Sequence, residues 1–323
     1  MRSHNPSSKP QLSKTVFIVN PQAANKKWQR RKSIRNNLLR NFQDRIIDNH
    51  ESKQQTIEIS KTLSQSHDIL VAVGGDGTIA DVIQGVVEAR KEKDVVLGIL
   101  PLGSGNAFRK SLHIPKSLRK AIRVLSEAHT REIDLILIEG KAAGFASIGA
   151  TAKVTQEKFE NKIPGLFGHL LAGRAVLSLP KREVRVDLLD GFDDRGERFE
   201  KKSFKVDLFD CVIGKTNYFG YSWRIAPKAR IDDSYLDITF FETSGIKYFL
   251  FFPLIYFGLY QKSQKHFKAR KMILRGKNLP IQYNGEFLDV RDCVQTEVLP
   301  RAIRVIAPKR TAEKRKHLFF RGR

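Results

Sequence analysis

Residues Val71–Thr78 read V-A-V-G-G-D-G-T, and this stretch decides the fold. An apolar run, Ile69–Val73, stops at two glycines, and one carboxylate, Asp76, stands between Gly75 and Gly77. Ile79, Val82, Ile83 and Val86 then recur at helical spacing, so the segment predicts a strand, a sharp loop and a helix start. Without Cβ atoms such a loop turns tightly and brings its N–H groups near an anion. The helix N-terminus adds unpaired donors, which makes phosphate the natural guest. The loop is neither G-x-G-x-x-G nor G-x-x-x-x-G-K-[ST]. Glycine turns without ligands are common, but the acid sets this one apart. A carboxylate repels phosphates unless it holds Mg²⁺ or takes a proton from an attacking hydroxyl, and both tasks belong to phosphoryl transfer.

A second loop repeats the logic. Val95–Leu100 reads as a buried strand and is followed by Pro101-Leu102-Gly103-Ser104-Gly105-Asn106. Upstream, Thr15–Val19 is a third apolar strand ending at Asn20-Pro21, and Ile34, Leu38 and Phe42 mark one face of a helix after it. Strands that end in polar or glycine turns and alternate with helices predict an open, mostly parallel α/β sheet. Ligands bind such sheets at the carboxyl ends of the strands, where the three loops gather.

The second half reads differently. The segments 133–139, 184–189, 204–212, 236–241, 271–274 and 303–307 are short alternating or apolar strands, with a turn at 191–196. The expected organisation is a disordered tail (1–13), an α/β domain (14–132), a β-rich, sandwich-like domain (133–308) whose last strand returns to the first domain, and a basic tail (309–323).

N-P after the first strand, G-G-D-G-T and P-L-G-S-G-N together resemble the catalytic domain of the diacylglycerol kinase and sphingosine kinase family of lipid kinases. Three later segments extend the likeness. Phe145–Gly149 (F-A-S-I-G) resembles the opening of that family's lipid-binding half, Ala226–Asp237 its A-P-x-A…D-G-x-L-D stretch, and Asn284-Gly285-Glu286 its D-G-E. G-G-D-G alone also occurs in NAD kinases. The resemblance implies that Asn20, Gly74, Gly75, Asp76, Gly77, Thr78, Gly103, Ser104, Gly105 and Asn106 hold ATP. Asp76 would orient Mg²⁺-bound phosphates or accept the hydroxyl proton, and Glu286 would also be catalytic. The plain alternative for Glu286 is a solvated residue beside an Asn-Gly turn. Arg230, Asp233 and Tyr235 align with a structural Mg²⁺ site of some bacterial members, with Asp233 as the side-chain ligand.

The chain departs from the family pattern at Ala107, where bacterial diacylglycerol kinases carry Asp, at Asn284 for Asp, and at Ser234 for Gly. G-S-G-N-A is the sphingosine kinase form of the second loop, yet Lys153 stands near the place of the Asp that pairs with a sphingoid amine, and a Lys would repel it. The resemblance therefore points to a Mg²⁺- and ATP-dependent kinase of a neutral lipid alcohol such as diacylglycerol. An NAD kinase-like enzyme, a sphingoid-base kinase and a non-catalytic lipid- or nucleotide-binding relative remain as alternatives.

Composition sets the partners. Lys and Arg total 58 against 34 Asp and Glu, a net charge of +24, with clusters at 26–32 and 309–323. Such an excess calls for an anionic partner, and with no nucleic-acid motif present a membrane surface is preferred. Two cysteines give no disulfide framework, and no apolar run reaches the roughly 18 residues of a membrane span. The expected location is cytoplasmic and peripheral to a membrane. Tyr248–Tyr260 reads as a core helix, with an interfacial segment as the alternative. Leu166–Leu179 is a similar apolar stretch.

Overall fold

The apolar run before the two glycines is strand β3 (Ile69–Gly74), buried along its whole length. It lies between β1 (Thr15–Val19) and β4 (Val96–Pro101), and β2 (Ile46–Asp48) flanks β1, all parallel. The computed structural model describes residues 14–21, 23, 36, 45–48, 52–103, 106–160, 176–177, 179–219, 223–259 and 264–309. All but one residue of the helix expected around Ile34–Phe42, the basic cluster at 26–32, most of Leu166–Leu179 and both tails apart from Lys309 lie outside them, as do Ser104 and Gly105. Register places Val19 beside Val73, and Gly74 beside Pro101, so the strands end level and their loops share one edge. Helices α1 (Lys53–Leu63), α2 (Asp76–Glu88), α3 (Ala107–Ser111) and α4 (Leu118–Glu127) complete this half. Apolar residues at helical spacing on α2 bury Ile79, Val82, Ile83 and Val86 against the sheet.

The chain then becomes mainly antiparallel. Strands β5 (Thr130–Ile138), β6 (Lys141–Ala143) and β7 (Phe145–Gly149) precede α5 (Ala150–Glu160). After it come β8 (Arg182–Phe192), β9 (Arg198–Leu208), β10 (Asp210–Gly214) and β11 (Leu236–Phe241). Short helices α6 (Gly245–Leu250) and α7 (Phe252–Tyr256) lead to β12 (Lys265–Tyr283) and β13 (Glu286–Ile306). β13 pairs with β12 and β5, and its far end runs parallel to β4 through Arg304 and Val305. The sheet is thereby continuous through thirteen strands. The α/β half and the β-rich, sandwich-like half each have an apolar core. A third cluster, from Ala107 and Phe145 to Tyr248 and Ile255, lies beside them.

Three expectations need correction. The strand expected over 204–212 is broken at Phe209: β9 pairs with β8, whereas β10 crosses to β7 and β11. The fragment 271–274 belongs to a 19-residue strand, because a bulge between Arg275 and Leu279 absorbs Gly276 and a left-handed Asn278. Tyr248–Tyr260 is not one core helix. It is broken between α6 and α7, and among its described large apolar side chains only Tyr248 and Ile255 are buried.

Candidate active site

The two glycine loops touch. The N–H groups of Leu102 and Gly103 both donate to Gly74 O, at 2.8 and 3.1 Å. A Cβ on Gly103 would lie 2.4 Å from Gly75 Cα, so this approach of two backbones requires glycine at 103. Asn20 joins them: its N–H donates to Val73 O at 3.0 Å and its side-chain amide to Thr78 Oγ1 at 3.3 Å. A Cβ on Gly77 would meet nothing within 4 Å, so the first turn of α2 faces open space with unpaired N–H groups. Asn20, Gly74–Thr78, Gly103 and Asn106 are thus gathered at one edge.

Asp76 opens α2. The residue keeps some solvent contact, but its Oδ1 is sealed off and has no hydrogen-bond partner. Burial pushes its carboxyl up to about 6, against the opposing effect of the N–H groups of Ala107, Phe108 and Asn106 and the charge of Lys110. Asn106 caps α3 in a left-handed conformation (φ 55°) and donates its side-chain amide to Gly103 O; its own Oδ1 is also buried without a partner. Two unpartnered oxygens beside free N–H groups suit a cation that arrives with a polyphosphate. Ala107 is fully buried in the cluster that contains Phe145, so a carboxylate there would face apolar neighbours.

Glu286 follows the tight β12–β13 turn, in which Asn284 and Gly285 both have positive φ (50° and 85°), the two-residue hairpin that Asn-Gly favours. Buried Asn284 accepts from Gly144 N–H at 2.9 Å and donates to Ala142 O at 3.2 Å. A carboxylate could not make the second bond, which accounts for Asn in place of Asp. Gly144 in turn presses on the Phe108 ring of α3: a Cβ there would come within 2.5 Å of it. Through that hairpin the turn bearing Glu286 is fixed against the helix whose N–H groups face Asp76.

Sequence reasoning missed Lys53. At the start of α1 it makes a short ion pair with Glu286, contacts Tyr283 OH at 2.5 Å and lies 3.9 Å from Asp81. Asp81 is pushed up to about 7, first by burial and then by the Glu286 charge, with Lys53 opposing. Nothing in the polar segment around Lys53 marks it out, because the contact spans more than two hundred residues of chain.

The expected Mg²⁺ site is occupied by the protein itself. Lys215 Nζ, completely buried, lies 2.6 Å from Asp233 Oδ1, 3.0 Å from Asp134 Oδ2 and 2.7 Å from the Tyr235 carbonyl. Lys268 takes the other Asp233 oxygen at 2.5 Å, and Arg230 is exposed on the same turn. Burial works to raise Asp233, but the two ammonium groups outweigh it and hold the carboxyl below its usual range. With two cations already on Asp233, these residues do not fit a divalent metal, and the assignment of Arg230, Asp233 and Tyr235 as its ligands is withdrawn. Ser234 stands at φ 64°, where glycine was the family pattern, and its N–H donates to Asp134 at 2.6 Å. Lys153 pairs with Glu157 on its own helix at 2.9 Å, which removes the electrostatic objection to a sphingoid amine.

Comparison with known proteins agrees with this architecture. The family model described as the diacylglycerol kinase catalytic domain matches residues 14–138. The YegS C-terminal NAD kinase beta sandwich-like domain matches residues 147–307. A diacylglycerol kinase of Staphylococcus saprophyticus is 30% identical over 196 residues, 59% of this chain and 60% of that protein. One from Staphylococcus epidermidis is 29% identical over 197 residues, 59% and 58% of the two chains. The chain thus matches about 60% of the length of these relatives. Two solved structures described as diacylglycerol kinases from Bacillus anthracis str. Sterne share the fold. Their TM-scores are 0.71 and 0.67 at 21% and 19% identity, over 91% of this chain and 97% of theirs. With its two halves matched in order, the chain belongs to the diacylglycerol kinase catalytic domain family, with a YegS-like C-terminal domain.

Proposed function

We propose that the protein is a lipid kinase that transfers the γ-phosphoryl group of Mg·ATP to the hydroxyl of a membrane lipid, diacylglycerol or a related lipid alcohol, giving a lipid phosphate such as phosphatidic acid. The observation that carries this reading is the sealed, unpartnered Asp76 oxygen at the free N-terminus of α2, between two abutting glycine loops. The N–H groups of that turn would receive phosphate oxygens. Mg²⁺ bound with the nucleotide would be held by Asp76 and Asn106, and would neutralise charge on the transferring group. The lipid oxygen bonds to the γ-phosphorus, the bond to the bridging oxygen breaks, ADP leaves, and the hydroxyl proton passes to a carboxylate, Asp76 or Glu286. Lys53 keeps Glu286 in place. Most of the acceleration would come from positioning and charge, so no covalent nucleophile is needed.

The test is transfer of radiolabelled phosphate from ATP to a panel of diacylglycerol, monoacylglycerol, sphingoid base and NAD, resolved by chromatography. The proposal expects label in an acyl glycerol and none in NAD. Label in NAD alone, or ATP binding without any labelled product, would overturn it.

A further inference from the structure

Helices α6 and α7 and the residues after them turn apolar side chains outward. Ile246, Phe249, Leu250, Leu254, Phe257 and Leu259 are each between 42% and 69% exposed, six large apolar side chains open to solvent within one short stretch of chain, where scattered single exposures are the rule. The inner side of the pair is firmly fixed. Tyr248 OH donates to buried Asp210 at 3.1 Å, Ile255 is buried, and Tyr256 O accepts from Arg224 N–H at 2.9 Å. The outward face is therefore a built surface, not a frayed loop.

Two observations say what covers it. The first is charge: from Thr243 to Gly285 the sequence contains no Asp or Glu, while Lys247, Lys262, Lys265, Lys268, Arg270 and Lys271 lie within it. Lys265, Lys268, Arg270 and Lys271 have carboxylate partners from other segments, Glu242, Asp233, Asp190 and Glu297, while Lys247 is exposed on α6 beside the apolar face. An apolar face edged by this exposed cation, in a chain of net charge +24, matches the boundary between acyl chains and anionic headgroups, where each nearby cation contributes about 1 kcal/mol. The second is continuity with the candidate active site. Half-exposed Phe252 packs on Trp223 (5.3 Å between ring centroids), Trp223 on Phe219 (6.2 Å), and Phe219 stacks on Phe145 at 4.2 Å. Phe145 lies against Gly285, next to Glu286, and shares its apolar cluster with Ala107 at the second loop. One aromatic row thus runs from the patch to the turn that bears Glu286.

We infer that the outward face of α6–α7 and residues 257–259 inserts into the headgroup boundary of an anionic bilayer and docks the active-site edge on the membrane that carries the substrate. The inference rests on the lipid-kinase reading for its purpose, but docking is measured without nucleotide or turnover. Full-length protein is sedimented with vesicles of phosphatidylcholine, with and without phosphatidylglycerol, and compared with Phe249→Ser/Leu250→Ser/Phe257→Ser. The wild type should partition onto the phosphatidylglycerol vesicles, and the triple variant should lose at least about tenfold of that partitioning. It should still phosphorylate short-chain diacylglycerol dispersed in solution. Hydrogen exchange on the wild type provides a readout that needs no variant: amides of 245–259 should slow on adding the anionic vesicles. Unchanged exchange there, or vesicle binding that the triple variant keeps, overturns the proposal. So does a patch whose substitution only converts a dimer to a monomer, which would assign the face to a second copy of the chain. If docking holds and no lipid is phosphorylated, the kinase reading alone fails.

Discussion

Replacing Lys215 by Met should cost about 3 kcal/mol of stability, without any change in the nucleotide loops. The ammonium group is fully buried and meets Asp134, Asp233 and the Tyr235 carbonyl within 3.0 Å. Removing one partner of a buried ion pair costs about 3–5 kcal/mol, because the remaining charge stays desolvated. Two features place this case at the lower end. Asp233 keeps Lys268, and Asp134 still accepts N–H groups from Ser234 at 2.6 Å and Arg301 at 2.8 Å. At about 2–4 °C per kcal/mol, the melting temperature should fall by about 6–12 °C in differential scanning calorimetry. The same account makes the wild type indifferent to chelators, since Lys215 occupies the place of a divalent cation. A fall under 2 °C in the variant, or a wild-type melting temperature that EDTA lowers, would refute the reasoning. Because Asp233 is held below its usual range, its contribution is present at neutral pH. It should be lost only as pH falls below about 4 and through the lowered value.

Other consequences follow from single side chains. Asp76, pushed up to about 6, favours the fold in its protonated form, so its contribution is full below about pH 4 and lost as pH rises through about 6. Asp76→Asn should therefore stabilise nucleotide-free protein at pH 8 by about 3 kcal/mol, read as a higher melting temperature, and leave it unchanged at pH 4. In the wild type, kcat/KM should fall below about pH 6 as the carboxylate protonates. Asn284→Asp should destabilise by about 1–3 kcal/mol in urea unfolding, since it strands the Ala142 carbonyl and buries a charge. Ser234→Gly should stabilise by about 1 kcal/mol in the same measurement, because the residue stands at φ 64°.

Those departures from the family pattern were visible in the sequence, but their causes were not. Local signals located the elements wherever a strand and its turn are one continuous pattern: 15–19 and 236–241 are strands with those bounds, and Asn284-Gly285 is the hairpin turn. They failed where partners decide. Phe209 looks like the middle of a strand, yet the chain changes neighbours there, and 265–283 looks interrupted because a bulge hides its length. The apolar composition of 248–260 suggested burial, whereas most of those side chains face outward. At the site, the glycine loops and Asp76 declared themselves through spacing. Lys53 and Lys215 did not, because each acts on residues distant in sequence, and a lysine carries no local sign of whether its ammonium group is buried.

The most direct test of the central claim compares wild type and Asp76→Asn in single-turnover transfer of γ-phosphate from radiolabelled ATP to dispersed diacylglycerol, with folding checked by calorimetry. The account predicts labelled phosphatidic acid from the wild type, and at least about a thousandfold slower transfer from a variant that is folded and, when nucleotide-free at pH 8, more stable. Transfer at a comparable rate from the folded variant would contradict it, and would remove Asp76 from the mechanism.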